Sequence, residues 1–115
     1  MTEHRIYSTS FASIYPHYVK KVERKGRSVD ELNEVIRWLT GFTQKQLERQ
    51  IASEATMREF FDAAKLNPNS SLITGTICGV RIQDIEHPLM KNIRQLDKLV
   101  DELAKGRPMT KILRN

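Results

Sequence analysis

A single cysteine, Cys78, leaves the chain unable to form an internal disulfide, and it has none of the thiol framework that staples small secreted domains. A reducing, cytoplasmic setting is the expectation. No apolar run approaches the ~20 residues that cross a bilayer, so no membrane partner is expected. The opening residues, MTEHRIYSTSF, carry no apolar core behind a basic start, and no signal peptide is evident. His4, His17 and His87 form no HxxxH pair with one another and Cys78 no CxxC, which removes the usual zinc spacings; neither metal nor cofactor is expected. There is also no internal repeat, low-complexity tract or linker long enough to divide the chain. One domain over residues 1–115 follows.

What is present is charge and helical periodicity. Apolar residues make up 39 % and charged residues 29 %, enough for one core and too apolar for a disordered tail. The formal net charge is +5, which suits a polyanion, yet acids are mixed among the bases. Only two stretches are locally of one sign: residues 20–27 (KKVERKGR, with Glu23 alone among five bases) and the acid-free residues 105–114. A solvated helix face is the commoner origin of such runs, so nucleic acid is possible but not favoured as a partner.

The punctuation predicts helices throughout. Pro16 suits a first turn, and Ile14, Tyr15, Tyr18, Val19 and Val22 follow at helical spacing to Gly26. Ser28 and Glu31 have the spacing of a capping box, ahead of a stripe of Leu32, Val35, Ile36 and Leu39 that Gly41 ends. Thr43 caps a third helix with Leu47 and Ile51, and Thr56 with Glu59 a short fourth that turns Phe60 and Phe61 inward. Residues 66–71 (LNPNSS) read as loop. Pro88 opens the most regular helix, striped by Leu89, Ile93, Leu96, Leu99, Val100 and Leu103, with Lys98 placed to pair with Asp101 and Glu102. Pro108 begins a short terminal helix. The fold class is therefore mainly α: a compact single domain of five or six helices.

The stretch SLITGTICGVRI, residues 71–82, is the ambiguous one. Ile73, Ile77 and Val80 fit a helix to about Gly79, whereas a short hairpin around residues 72–83 is the alternative. A phosphate loop would want a third glycine and a lysine, which are missing, so Gly75 and Gly79 are expected to admit a closely packed neighbouring helix. Cys78 lacks a base at a telling spacing, and inert core packing outweighs an enzymatic nucleophile. Arg81, Asp84, Glu86 and His87 bring mixed polar chemistry to the turn before the Pro88 helix, a possible surface for a protein or small ligand. Acids before a helix are also ordinary complements to its dipole. A second reading is a helix-turn-helix over residues 28–53, in which Gln44, Lys45 and Arg49 would face DNA. Tyr7, Phe11, Tyr15 and Tyr18 cluster near the start and suit a core better than a stacking platform.

Three blocks, SFASIYPHYVKKVERKGR, VIRWLTGF and LITGTICGVRIQDIEHPLMKNIRQLDKLVDELAKGRPMTKILR, span most of the chain. On them the sequence resembles the bacterial domain of unknown function 2200 family. The resemblance implies a small single-domain cytosolic bacterial product and brings no assigned activity, cofactor or catalytic set. Members tend to have an acid where this chain has His87, which argues against a metal or base role there. The functional expectation is a small cytosolic binding or regulatory module acting on a protein or small ligand. DNA binding is the alternative and Cys78 enzymology the least favoured; a homodimer is plausible.

Overall fold

Most helices begin where the sequence supplies a hydroxyl cap. The computed structural model describes residues 4–114. In it α1 (Phe11–Glu23), α2 (Val29–Thr40), α3 (Gln44–Ala52) and α4 (Met57–Ala63) follow one another closely. A small antiparallel hairpin, β1 (Thr76–Ile77) and β2 (Val80–Arg81), precedes the long α5 (Pro88–Ala104) and the short α6 (Met109–Ile112). Single 3₁₀ turns occupy Arg5–Ser8, Pro68–Leu72 and Ile82–Asp84. Ser28 with Glu31, Thr43 with Gln46 and Thr56 with Glu59 each form a reciprocal capping box, satisfying two otherwise orphaned N–H groups per helix. The radius of gyration, 13.3 Å, is close to the ~13 Å of a single packed body of this length.

α5 is the strut. It packs against α1, α2, α4, α6 and β1, and buries Leu89, Ile93, Leu96, Leu99, Val100 and Leu103 along one stripe. Facing it are Leu32, Val35, Ile36 and Leu39 of α2 and Phe60 of α4, the last stacked on Phe11 with ring centroids 4.0 Å apart. Tyr18 is buried against the strut and donates to Asp97 Oδ1 at 2.7 Å; burial, reinforced by that carboxylate, holds its phenol well above the usual range. Tyr7, Phe11 and Tyr18 are thus core side chains, and Tyr15 is half-buried.

Several expectations need correction. α1 starts at Phe11 under a Ser10 cap, so Pro16 lies inside the helix and not in its first turn. It leaves the Ala12 carbonyl without its helical donor, and the burial of Phe11, Tyr18 and Val22 on the opposite side holds the helix together. Residues 72–80 are not helix: the hairpin alternative is the observed one. Its loop is Cys78 and Gly79, both at positive φ (53° and 76°), as a two-residue type I′ turn requires. Cys78 is therefore at an exposed tip and not in the core. Neither glycine admits a packed helix. A Cβ at Gly79 would meet open space, and one at Gly75 only the end of the Lys98 side chain at 3.6 Å. The close backbone approach lies at Gly41, where a Cβ would sit 2.6 Å from the Lys65 carbonyl oxygen.

Lys98 does not pair along α5. It reaches the hairpin, donating to the Thr76 carbonyl at 3.3 Å. Asp101 is held instead by Lys21 (3.3 Å) and Lys105 (2.9 Å). Glu102 is buried and receives both guanidinium nitrogens of Arg114, at 2.9 and 2.8 Å, with Arg107 at 3.0 Å. The N-termini of α1 and α4 are stitched together as well: Phe11 N–H donates to Ala55 O and Met57 N–H to Thr9 O, both at 2.8 Å.

Candidate functional site

The polar turn before α5 divides into two parts. Arg81 and Asp84 pair with each other at 3.6 Å with more than 60 % of each side chain exposed (64 % and 62 %), a contact worth little in solvent. Glu86 and His87 are turned to grooves on either side of Pro88. The structure therefore separates these four residues into an exposed ion pair and two groove walls.

The smaller groove, about 280 Å³, runs between α4 and the start of α5, with Arg58, Phe61, Asp62, His87 and Asn92 among its walls. The His87 ring stacks on Tyr7, centroids 4.9 Å apart and planes at 25°. The Arg58 guanidinium carbon lies 5.3 Å from the centre of the same tyrosine ring. Tyr7 thus packs against both the His87 ring and the Arg58 guanidinium of the groove wall.

The larger groove, about 450 Å³, is walled by Leu66, Ser70 and Ser71 on one side and by Ile85, Glu86, Lys91, Asn92 and Gln95 on the other. The Pro68–Leu72 turn forms because Asn67 accepts from Asn69 N–H at 2.8 Å and proline sets the first φ. That turn is fastened to the far end of the chain, Asn69 Nδ2 donating to the Arg114 carbonyl at 2.9 Å. Gln95, only 4 % exposed, donates through Nε2 to Ser70 O at 3.2 Å. That bond assigns the amide orientation, since the carbonyl can meet only a donor. The other end of the amide, Oε1, has no partner among the described residues. A buried acceptor in that state costs about 1–3 kcal/mol.

Ser70, Ser71, Lys91, Asn92 and Gln95 escaped the sequence reading. One signal was available: Gln95 lies four residues before Leu99, a polar residue on the stripe that α5 buries. The remaining candidates stand apart. Lys45 and Arg49 are exposed on α3, whereas Gln44 donates to Glu48 Oε2 at 3.0 Å. Cys78 has no histidine or carboxylate hydrogen-bonded to it among the described residues. No three His, Cys, Asp or Glu side chains among the described residues converge on a point that could hold a metal ion. None of the described helices is long and apolar enough to cross a membrane.

Fold and grooves together define a small helical protein with a hairpin and two clefts of mixed lining flanking the N-terminus of its longest helix. The family model described as "Uncharacterized protein conserved in bacteria (DUF2200)" matches residues 5–114, and the chain belongs to that family. Among solved structures, the crystal structure of uncharacterized protein SP1917 is similar, with 41 % identity and a TM-score of 0.90. The match covers 97 % of this chain and 93 % of that one. Comparison with curated proteins finds no match.

Proposed function

We propose that the protein is a small cytoplasmic binding module that receives a polar ligand in the groove between the Pro68–Leu72 turn and the first turns of α5. The observation that carries this reading is Gln95, a buried amide in the groove wall with its carbonyl oxygen unsatisfied. Oε1 lies buried behind the groove surface, so a ligand N–H or O–H recovers the missing hydrogen bond once the Gln95 amide turns outward. Ser70, Ser71, Asn92 and Lys91 offer donors for a carbonyl or anionic part of the same molecule, and Glu86 offers an acceptor. The helix pair at residues 28–53 stands as the second reading, favoured by the exposure of Lys45 and Arg49 and weakened by the Gln44–Glu48 bond.

A screen of small polar metabolites by amide NMR tests the first reading. Bound compounds are expected to shift the signals of Ser70, Ser71, Asn92 and the Gln95 side chain. Gln95→Met, which keeps the shape and removes the acceptor, should weaken them about tenfold. Binders that ignore this substitution, or a screen with no shifts at these positions, would sink the proposal.

A further inference from the structure

The two locally basic stretches lie at opposite ends of the sequence, and the fold brings them to one corner. α1 and α5 end side by side there. Lys21 meets Asp101 at 3.3 Å, and the Arg27 guanidinium donates to the carbonyls of Leu103 and Arg107 at 3.3 and 2.9 Å. Residues 20–25 of the first stretch and Lys105 and Arg107 of the second therefore share a surface.

A concavity of about 450 Å³ lies on this corner, and its walls are His17, Lys20, Lys21, Arg24 and Lys25. Among the described residues no carboxylate lines it. All five side chains belong to exposed residues, and Lys20, Arg24 and Lys25 have no ion-pair partner among the described residues. The helix dipole explains cations in the last turn of α1, where Lys20 and Lys21 lie. It does not explain Lys25, which stands beyond the helix end, whereas Lys105 and Arg107 arrive from the other end of the chain as partners of Asp101 and Glu102. Burial explains none of them. Lys20, Arg24 and Lys25 supply positive charge that no carboxylate in the lining offsets, while Lys21, Lys105 and Arg107 are already paired with Asp101 and Glu102.

The chemistry selects among anionic partners. Among the described residues the exposed large apolar side chains are Leu72 and Val80, both around the hairpin and neither at this corner, so none of them would insert into a bilayer here. The lining holds, among the described residues, no Tyr, Trp or Phe and only the single ring of His17, which leaves single-stranded bases little to stack on. A duplex asks less. Its phosphates need only cations and donors at suitable spacing. From His17 to its end at Glu23 the helix rises about 9 Å, a length over which B-DNA carries about five phosphate charges.

We propose that this corner is a contact surface for duplex DNA, holding its phosphates through Lys20, Arg24 and Lys25, with Lys21, Lys105 and Arg107 in support, and reading no bases. The surface is independent of the Gln95 groove and uses different residues from the α3 reading.

A random-sequence DNA duplex titrated at a series of salt concentrations is the test. Three unpaired cations predict a slope of about −3 for log affinity against log salt. The triple variant K20E/R24E/K25E should lose about tenfold or more in affinity at low salt, and K45E/R49E should bind as the unaltered protein does. Should the reversed triple variant fold poorly by circular dichroism, K20Q/R24Q/K25Q removes the same charges more gently. NMR shifts on the unaltered protein, expected over residues 17–25 and 105–107, need no variant at all. No binding at low salt, an affinity indifferent to salt, or loss in K45E/R49E in place of the α1 variant would each overturn the proposal. So would selective binding to vesicles containing phosphatidylserine with no binding to the duplex.

Discussion

Removing the guanidinium of Arg114 should destabilise the whole fold, although the residue lies near the end of the chain. Its two nitrogens grip the Glu102 carboxylate at 2.9 and 2.8 Å, and the two side chains are 14 % and 6 % exposed. Breaking a buried pair of this kind from one side costs about 3–5 kcal/mol, because the remaining charge is left in a poor solvent. Arg107 stays 3.0 Å from the same carboxylate but is 45 % exposed, so it offsets only part of that loss. About 3 kcal/mol is the expected net cost of Arg114→Ala. For a chain of 115 residues the unfolding entropy makes this a fall of about 12 °C in Tm. Urea unfolding and thermal melts followed by circular dichroism measure both quantities. The pairwise part comes from a double-mutant cycle with Glu102→Gln, expected to yield a coupling of about 2 kcal/mol. A loss below about 0.5 kcal/mol, typical of a surface substitution, would refute the claim that this pair fastens the C-terminal segment to α5.

Other perturbations test the hairpin, a helix end and a cap. Cys78→Asn should stabilise the protein by about 0.5–1 kcal/mol, since asparagine tolerates the left-handed turn position better; a neutral or negative change in urea midpoint would speak against the type I′ assignment. The native thiol should also react with a labelling reagent as fast as a small model thiol, and protection until unfolding would contradict its exposure. Gly41→Ala should cost about 2–4 kcal/mol, from a strained φ of 74° added to a Cβ 2.6 Å from the Lys65 carbonyl, and a loss under 1 kcal/mol would mean the segments separate freely. The Arg27 hydrogen bonds to Glu31 hold its carboxyl down at about 2, against an ordinary 4.5. Its contribution to stability is therefore full above about pH 4.5 and lost as the pH falls toward 2, and Glu31→Gln should flatten acid unfolding across that window.

Helix starts were legible because capping is local chemistry. Ser28, Thr43 and Thr56 announce their helices within four residues, and the α5 stripe repeats often enough to leave no doubt about period. Pro16 misled because its usual station is the first turn, while here tertiary burial of Phe11 and Tyr18 carries α1 across it. The hairpin stayed ambiguous because its turn uses Cys-Gly where Asn-Gly is the stronger signal. Of the candidate site, the turn carrying Glu86 and His87 could be read, since mixed polar residues gather there in sequence. The opposite wall at Ser70 and Ser71 could not, because it is joined to Gln95 across 25 residues by a bond that no periodicity encodes. Nor could the run of residues 20–27 show that its neighbour would be the run starting at residue 105.

The reciprocal bonds between the starts of α1 and α4 bear on how the chain comes together. Phe11 and Met57 each give their amide hydrogen to the residue before the other's cap. Neither helix can therefore complete its own beginning until the other has arrived. Two local nucleation problems become one long-range event, closed only after the intervening chain of α1 to α3 has folded back on itself. A cut between α3 and α4 would separate two halves of a shared joint, each left to exchange those amide bonds for bonds to water.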